Sequence, residues 1–345
     1  MGRKPTGRPT SFDIAYLAGV SQPTVSRALR GDKSVSAQTR AKIEQIARDL
    51  KYTVDKNASS LRSQRSNTIA LLFFEDPTTD DSMINPFFLA MLGSITRACA
   101  NRGLDLLISF QKMEDDWHVQ YQDSHRADGL ILLGYGDYQQ YEERLTQLRE
   151  QGTIFARWGS VSFDDSGATI GSDNIGAGRI AGEHLLSTGR EKIAFLGDTS
   201  ESCPELAARY RGLCQAMEEA EVAVDPELQV EAITSEASGY DAAKRLIASG
   251  KPFDAIFAAS DLIAIGAMRA LSEAGLKVPR DVAVMGFDDI PAASLTTPAL
   301  TTVMQDIKGA GEGLVELLQA QIKGEASPPR RLPTQLIVRG STAKS

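Results

Sequence analysis

Ser11-Phe-Asp-Ile-Ala-Tyr-Leu-Ala-Gly-Val-Ser-Gln-Pro-Thr-Val-Ser-Arg-Ala-Leu29 is the stretch on which the reading of this chain turns. Ile14, Ala15, Leu17 and Ala18 recur at helical spacing, and Gly19 stops that helix in a conformation other residues resist. Ser21 is suited to N-cap a second helix. Pro23 falls in the first turn of that helix, where its missing N–H costs little. Two short helices, a Gly-containing turn and small residues at the crossing describe a helix-turn-helix. In such a motif the second helix is the reader. Gln22, Pro23 and Arg27 then point at base edges, while Ser21, Thr24 and Ser26 offer short donors to phosphates. Tyr16, on the first helix, joins the DNA-facing set.

The competing reading is a helical hairpin in some unrelated core, and the next residues weigh against it. A third amphipathic helix from about Ser36 to Leu50 offers Ile43, Ile46, Ala47 and Leu50 to cover the first two. A basic, serine-rich connector follows, Lys56-Asn-Ala-Ser-Ser-Leu-Arg-Ser-Gln-Arg65. With these residues the chain resembles the lac/galactose repressor family of bacterial transcription regulators. The head motif of that family matches at Asp13, Ile14, Ala15, Ala18, Gly19, Val20, Ser21, Thr24, Val25, Ser26 and Arg27. The resemblance implies a connector that folds into a hinge helix only on operator DNA, where paired hinges wedge a leucine into the minor groove. Ala58 and Leu61 occupy the matching places, and Arg62 would face phosphate. Leu61 is the only large apolar residue between Asp55 and Asn67. A lone leucine with no core to join favours the wedge, whose unstacking cost of roughly a few kcal/mol is offset by wrapping.

Charge divides at the same place. Residues 1–66 hold 13 Lys/Arg and 5 Asp/Glu, and the remainder 24 and 40, so the net −8 splits into +8 and −16. A basic module on an acidic body suits a phosphate-binding head joined to a self-soluble ligand domain. Residues 1–10 read as a flexible basic arm, 11–54 as the helix-turn-helix domain and 55–66 as the hinge. No apolar run approaches the length of a membrane span, and the amino terminus has no apolar signal core, so a cytoplasmic protein without membrane contact is expected. Cys99, Cys203 and Cys214 are odd in number and widely spaced, which fits reduced thiols.

From Thr68 strands alternate with helices, the pattern of parallel sheets covered on both faces. More than 270 residues of it exceed one ordinary sheet, so two lobes are expected over 67–341. The resemblance implies a periplasmic-binding-protein-like body with three chain crossings, placed near Gly159–Phe163, Asp288–Pro291 and Gly324–Pro329. The first lobe is then about 67–160 and 291–324, the second about 161–290 and 325–341. The fold class is an all-α helix-turn-helix head plus an α/β two-lobe body. The chain stops soon after its last strand without a heptad tail, from which a homodimer without a tetramerising coiled coil is expected.

In open α/β sheets ligands lie beyond the carboxyl ends of strands, which here nominates Phe74, Glu75, Arg157, Trp158, Ser260 and Asp288. The resemblance adds Phe87 and Phe88 near the cleft mouth, Arg209 on a helix facing it, and Gln305 after a crossover strand. Arg with Asp can fork onto vicinal hydroxyls while aromatic rings cover the apolar face of a pyranose, so a carbohydrate-like effector is expected. Each has a plainer alternative: the aromatics could be core, Arg209 a surface ion-pair partner, Asp288 a turn cap. His118, His125 and His184 have no metal spacing, and the Gly176–Gly178 and Gly309–Gly313 runs lack a phosphate-loop setting. No catalytic constellation, metal or cofactor is expected. The expectation is a DNA-binding regulator, most simply a repressor, with a near-palindromic operator and a sugar effector. A solute-binding transport protein is the alternative, but it would need an export signal and no basic head.

Overall fold

The structure is a computed structural model and describes residues 9–52, 65–74, 84–111, 115–134, 138–161, 168–326 and 328–343. The chain forms two compact units, Met1–Ser66 and Asn67–Ser345.

In the first unit, α1 (Ser11–Ala18), α2 (Gln22–Leu29) and α3 (Ala37–Asp49) pack around Ile14, Val25 and Ile43, all fully buried, with Ala15, Ala18, Ala28 and Ala47 at the crossings. Small residues let the short helices approach closely enough for so few side chains to fill the core. Thr10 and Asp13 form a capping box, Thr10 Oγ1 accepting from the Asp13 amide while the Asp13 carboxylate accepts from the Thr10 backbone N–H at 2.8 Å. Gly19 ends α1 at φ 70°, the left-handed value that a Cβ penalises. Leu17 departs from expectation: it is 53% exposed, because Ile14, Ala15 and Ala18 already fill the inward arc of the helix.

In the second unit, one six-stranded sheet runs β2-β1-β3-β4-β5-β11 and is wholly parallel. Its strands are β1 (Thr68–Phe74), β2 (Asp105–Gln111), β3 (Gly129–Leu133), β4 (Phe155–Trp158), β5 (Ala168–Ser172) and β11 (Arg330–Leu332). Side chains alternate across the pleat. Ile69, Leu71 and Phe73 therefore pack with α4 (Pro86–Asn101) and α10 (Ile307–Ile322), while Ala70 and Leu72 face Trp117, Tyr121 and, on α5 (Tyr138–Glu150), Leu145 and Leu148. Burial on both faces explains why β1 and β3 at the middle of the sheet read as unbroken apolar runs.

The other sheet runs β7-β6-β8-β9-β10-β12, with β12 alone antiparallel. It comprises β6 (Ile193–Leu196), β7 (Gln229–Val230), β8 (Ala255–Ala258), β9 (Ala283–Asp288), β10 (Thr301–Gln305) and β12 (Thr334–Ile337). Helices α6 (Asn174–Ser187), α7 (Pro204–Glu219), α8 (Glu236–Ala248) and α9 (Asp261–Glu273) belong to this lobe. The α6–α7 crossing is set by glycine. A Cβ on Gly178 would lie 2.0 Å from the Arg209 carbonyl oxygen, and one on Gly212 would lie 2.1 Å from that of Ile175.

All three crossings fall later than expected. β5 pairs with β4, β10 with β9 and β11 with β5, so each lobe keeps one more short strand before the chain leaves. The passages are therefore at Ser172–Asn174, Gln305–Ile307 and Leu332–Thr334, not at Gly159–Phe163, Asp288–Pro291 and Gly324–Pro329. The first lobe spans 67–172 and 307–332, and the second 174–305 and 334 onward. The physical reason is composition. Ala168-Thr-Ile-Gly-Ser172 and Arg330-Arg-Leu332 contain too few large apolar residues to stand out, and are held as strands by their neighbours. Among the described residues no helix is long and apolar enough to cross a membrane.

Candidate functional site

On the first unit, α1 and α2 present a mixed face. Ser21, Pro23 and Arg27 are exposed, and Gln22, Thr24 and Ser26 are half-buried. Ser21 is the N-cap of α2, but its hydroxyl pairs with that of Thr24 at 2.8 Å rather than with a helix amide. Pro23 has no N–H and the Thr24 amide donates to the Ser21 carbonyl at 2.9 Å, so the Ser21 and Thr24 hydroxyls are the donors this helix start can turn toward a phosphate. The Gln22 amide donates to Ser11 Oγ at 3.2 Å, so it has a partner to exchange when it meets a base edge. Tyr16 is 81% exposed, and one turn before it Phe12 is 71% exposed. Large aromatic rings are seldom left in water without a partner surface. Phe12 was not anticipated, although its place one turn from Tyr16 was a usable signal. Ala58, Leu61 and Arg62 lie outside the described residues, as does Glu75, and the side chain of Phe74 is likewise not described.

In the second unit a buried polar chain runs through the crossings. Ser172 Oγ, at the end of β5, donates to Gln305 Oε1 at 2.6 Å, and Gln305 Nε2 donates to Asp288 Oδ1 at 2.7 Å. Beside Asp288 lies Arg209 on α7. Its Nε donates to Asn174 Oδ1 at 2.9 Å, its Nη1 donates to the Ala259 carbonyl, and its guanidinium carbon sits 3.6 Å from the centre of the Phe287 ring. All five polar side chains are buried, and a buried charge of this kind costs several kcal/mol unless well partnered. Burial pushes the Asp288 carboxyl up to about 7, with the Arg209 charge and the Gln305 hydrogen bond pulling the other way. The neighbouring Asp261 is raised well above the usual carboxylate range by burial and then by Asp288, against the Thr302 hydroxyl at 2.6 Å and the Ile290 amide at 2.8 Å.

The backbone at this point is strained. Asp288 has φ 113° and Asp289 φ 56°, values unusual for residues with a Cβ. Arg339 holds Asp289 by a 2.6 Å ion pair, so the strain is fixed from behind. Such conformations cost about 1–3 kcal/mol and persist where surrounding contacts over-determine them. Asp288 and Gln305, with Asp306, Pro333 and Thr334, line a cavity of ≈ 590 Å³ at the crossings.

The structure thus brings Arg209, Asp288 and Gln305 into one cluster and adds Ser172 and Asn174. It gathers Phe87, Phe88 and Trp158 elsewhere, with ring centres 5.3 and 5.9 Å from Phe87, inside the apolar core of the first lobe. Ser260 caps α9 through the Ile263 amide at 3.3 Å. Arg157, at the end of β4, is buried and donates to the Ser160 carbonyl at 3.2 Å. Ser172 escaped the sequence because the strand that carries it did.

A basic helix-turn-helix unit followed by a two-lobed α/β body with a strained, buried polar cluster at its crossings defines a ligand-responsive DNA-binding regulator. Residues 12–55 match the model of the bacterial regulatory proteins of the lacI family, and residues 183–342 that of the periplasmic binding protein-like domain. The chain is 30% identical over 341 residues to the HTH-type transcriptional regulator CelR of Thermobifida fusca, covering 97% of this chain and 98% of that one. It is 30% identical over 339 residues to the ribose operon repressor of Escherichia coli strain K12, covering 96% and 99%. Among solved structures it superposes on the lac repressor dimer bound to operator and the anti-inducer ONPF with a TM-score of 0.82 at 26% identity, covering 97% and 99%. It superposes on the CelR–cellobiose complex with a TM-score of 0.71 at 30% identity, covering 97% and 100%. The chain belongs to the lacI family of bacterial regulatory proteins. It is a helix-turn-helix transcriptional regulator.

Proposed function

We propose that this regulator is a cytoplasmic repressor that binds near-palindromic operator DNA as a homodimer and responds to a small carbohydrate-like effector held between its lobes. It works by binding alone, without catalysis, metal or cofactor. The observation that carries the effector half is the Arg209–Asp288–Gln305 cluster, a fixed guanidinium beside a carboxyl and an amide where the chain passes between lobes. Such a set can fork onto vicinal hydroxyls, and an effector there acts on the segments about which the lobes turn. The relatives support the class of ligand, since one solved neighbour carries cellobiose and another, a lacI-family regulator of Enterococcus faecium, bound ribose. Ala58, Leu61 and Arg62 are the proposed hinge contacts, with Leu61 as the wedge. Tyr16 and the α2 residues Gln22, Pro23 and Arg27, with Ser21, Thr24 and Ser26, are the proposed major-groove and phosphate contacts. An effector switches such a protein only through different affinity for two lobe arrangements, and a hundredfold effect needs roughly 2.7 kcal/mol of coupling.

The test is a mobility shift on genomic fragments upstream of candidate targets, with and without a panel of sugars and sugar phosphates. Retardation that collapses with rising salt and changes with one sugar is expected. Salt-insensitive retardation, or an unchanged operator midpoint in saturating sugar that does bind, refutes the respective half.

A further inference from the structure

Away from the crossings the lobes also meet at the Gly159–Ser160 turn. The Gly159–Ser160 turn follows β4 in the first lobe, and Arg157 of the same lobe donates to the Ser160 carbonyl. The Ser160 amide donates at 2.5 Å to Glu205 Oε1, in the first turn of α7 in the second lobe. Gly159 lies between the two charged groups. A Cβ there would meet Arg157 Nη1 at 2.8 Å and Glu205 Oε1 at 3.3 Å. The turn is also pinned from its own side, because a Cβ on Gly171 would stand against the Gly159 carbonyl oxygen at 1.9 Å. One lobe therefore presents a rigid amide and the other a carboxylate that accepts it. A carboxylate in the first turn suits the positive end of α7. Glu205 and Arg209 are four residues apart, on the same side of α7. A cavity of ≈ 470 Å³ beside the contact, lined by Glu142 of the first lobe and Pro204, Ala207, Tyr210 and Arg211 of the second, leaves α7 room to move against the first lobe.

We propose that Glu205 is a positioning residue of the effector response, a latch that clamps the Ser160 amide of one lobe to α7 of the other and moves with Arg209. The proposal rests on the reading that the effector engages Arg209. A shift of α7 drawn by that arginine is transmitted one helical turn to the carboxylate, where it makes or breaks an interlobe hydrogen bond. A charge-assisted bond of this kind is short and directional, so a small displacement of the helix weakens it steeply.

The test needs no effector and uses the full chain. Hydrogen exchange of the Ser160 amide is followed in the parent protein and in Glu205→Ala, Glu205→Gln and Arg209→Lys, with far-UV circular dichroism confirming that each variant is folded. The amide is expected to exchange at least tenfold faster in Glu205→Ala and to stay largely protected in Glu205→Gln, whose side-chain oxygen still accepts. Should the alanine variant not fold, the glutamine variant combined with Arg209→Lys carries the comparison. Arg209→Lys is expected to speed Ser160 exchange in the parent and to add nothing in Glu205→Ala, a non-additivity that marks coupling. Equal protection with glutamate and alanine at position 205 overturns the latch. Faster exchange in Glu205→Ala with no effect of Arg209→Lys in the parent overturns its link to Arg209. Neither result depends on a sugar, so failure of the effector reading itself would appear separately, in the mobility-shift panel.

Discussion

Replacing Asp288 by asparagine gives two consequences of opposite sign. The side chain is 2% exposed, and its carboxyl sits near 7 against an ordinary 3.8. The folded protein thus holds this proton more firmly than the unfolded chain does. The resulting stability is full below the unfolded value, falls as pH rises from about 4 to about 7, and is lost above that. One pKa unit is 1.36 kcal/mol, so the buried carboxylate opposes folding by about 4 kcal/mol at pH 8 and by about 1–2 kcal/mol at pH 5. Asparagine has the same shape and can still accept from Gln305 Nε2, but it never carries the charge. The attraction of the ionised carboxylate to Arg209, which the variant loses, is already contained in the value near 7. Urea unfolding of both proteins at pH 5, 6, 7 and 8 should show the stability difference moving in favour of the variant by about 2–3 kcal/mol from the lowest to the highest pH. Parallel stability curves would mean that Asp288 titrates normally, and the account of its burial would fail. In the same variant the response of operator binding to sugar should weaken while operator affinity without sugar is retained, and an undiminished response removes Asp288 from the effector site.

Other perturbations bear on the two units separately. Arg27→Ala should cost about 1–3 kcal/mol on operator DNA and relax preference at one base position, checked by competition with random duplex; equal losses on both would rule out base reading. Leu61→Ala should reduce operator bending and affinity while leaving sugar binding unchanged, and gel phasing with undiminished bending would count against a wedge. Gly178→Ala should destabilise the second lobe by more than the usual ~1 kcal/mol of a point change, since the added methyl meets backbone at 2.0 Å and neither helix can yield locally. An unchanged urea midpoint would show that α6 and α7 can separate freely.

The head was legible because its information is local. Helical spacing, a left-handed glycine, a proline in a first turn and an excess of basic charge are properties of neighbouring residues, and they lie within one continuous stretch from Ser11 to Arg65. The alternation of strands and helices, and hence two lobes, was legible for the same reason. Ile69–Phe73 and Ala255–Ala258 are buried on both faces and can be nothing but apolar. What the residues could not disclose is pairing. Ala168–Ser172 and Arg330–Leu332 are strands only because each finds the edge of a neighbour, so the lobe boundaries moved by a strand at every crossing. The buried cluster has the same origin. Ser172, Asn174, Arg209, Asp288 and Gln305 are spread over more than a hundred residues of chain, and each alone could be a cap, a surface partner or a turn. Only the folding of two sheets around shared crossings takes them out of water together, and the cost of burying them forces them to satisfy one another.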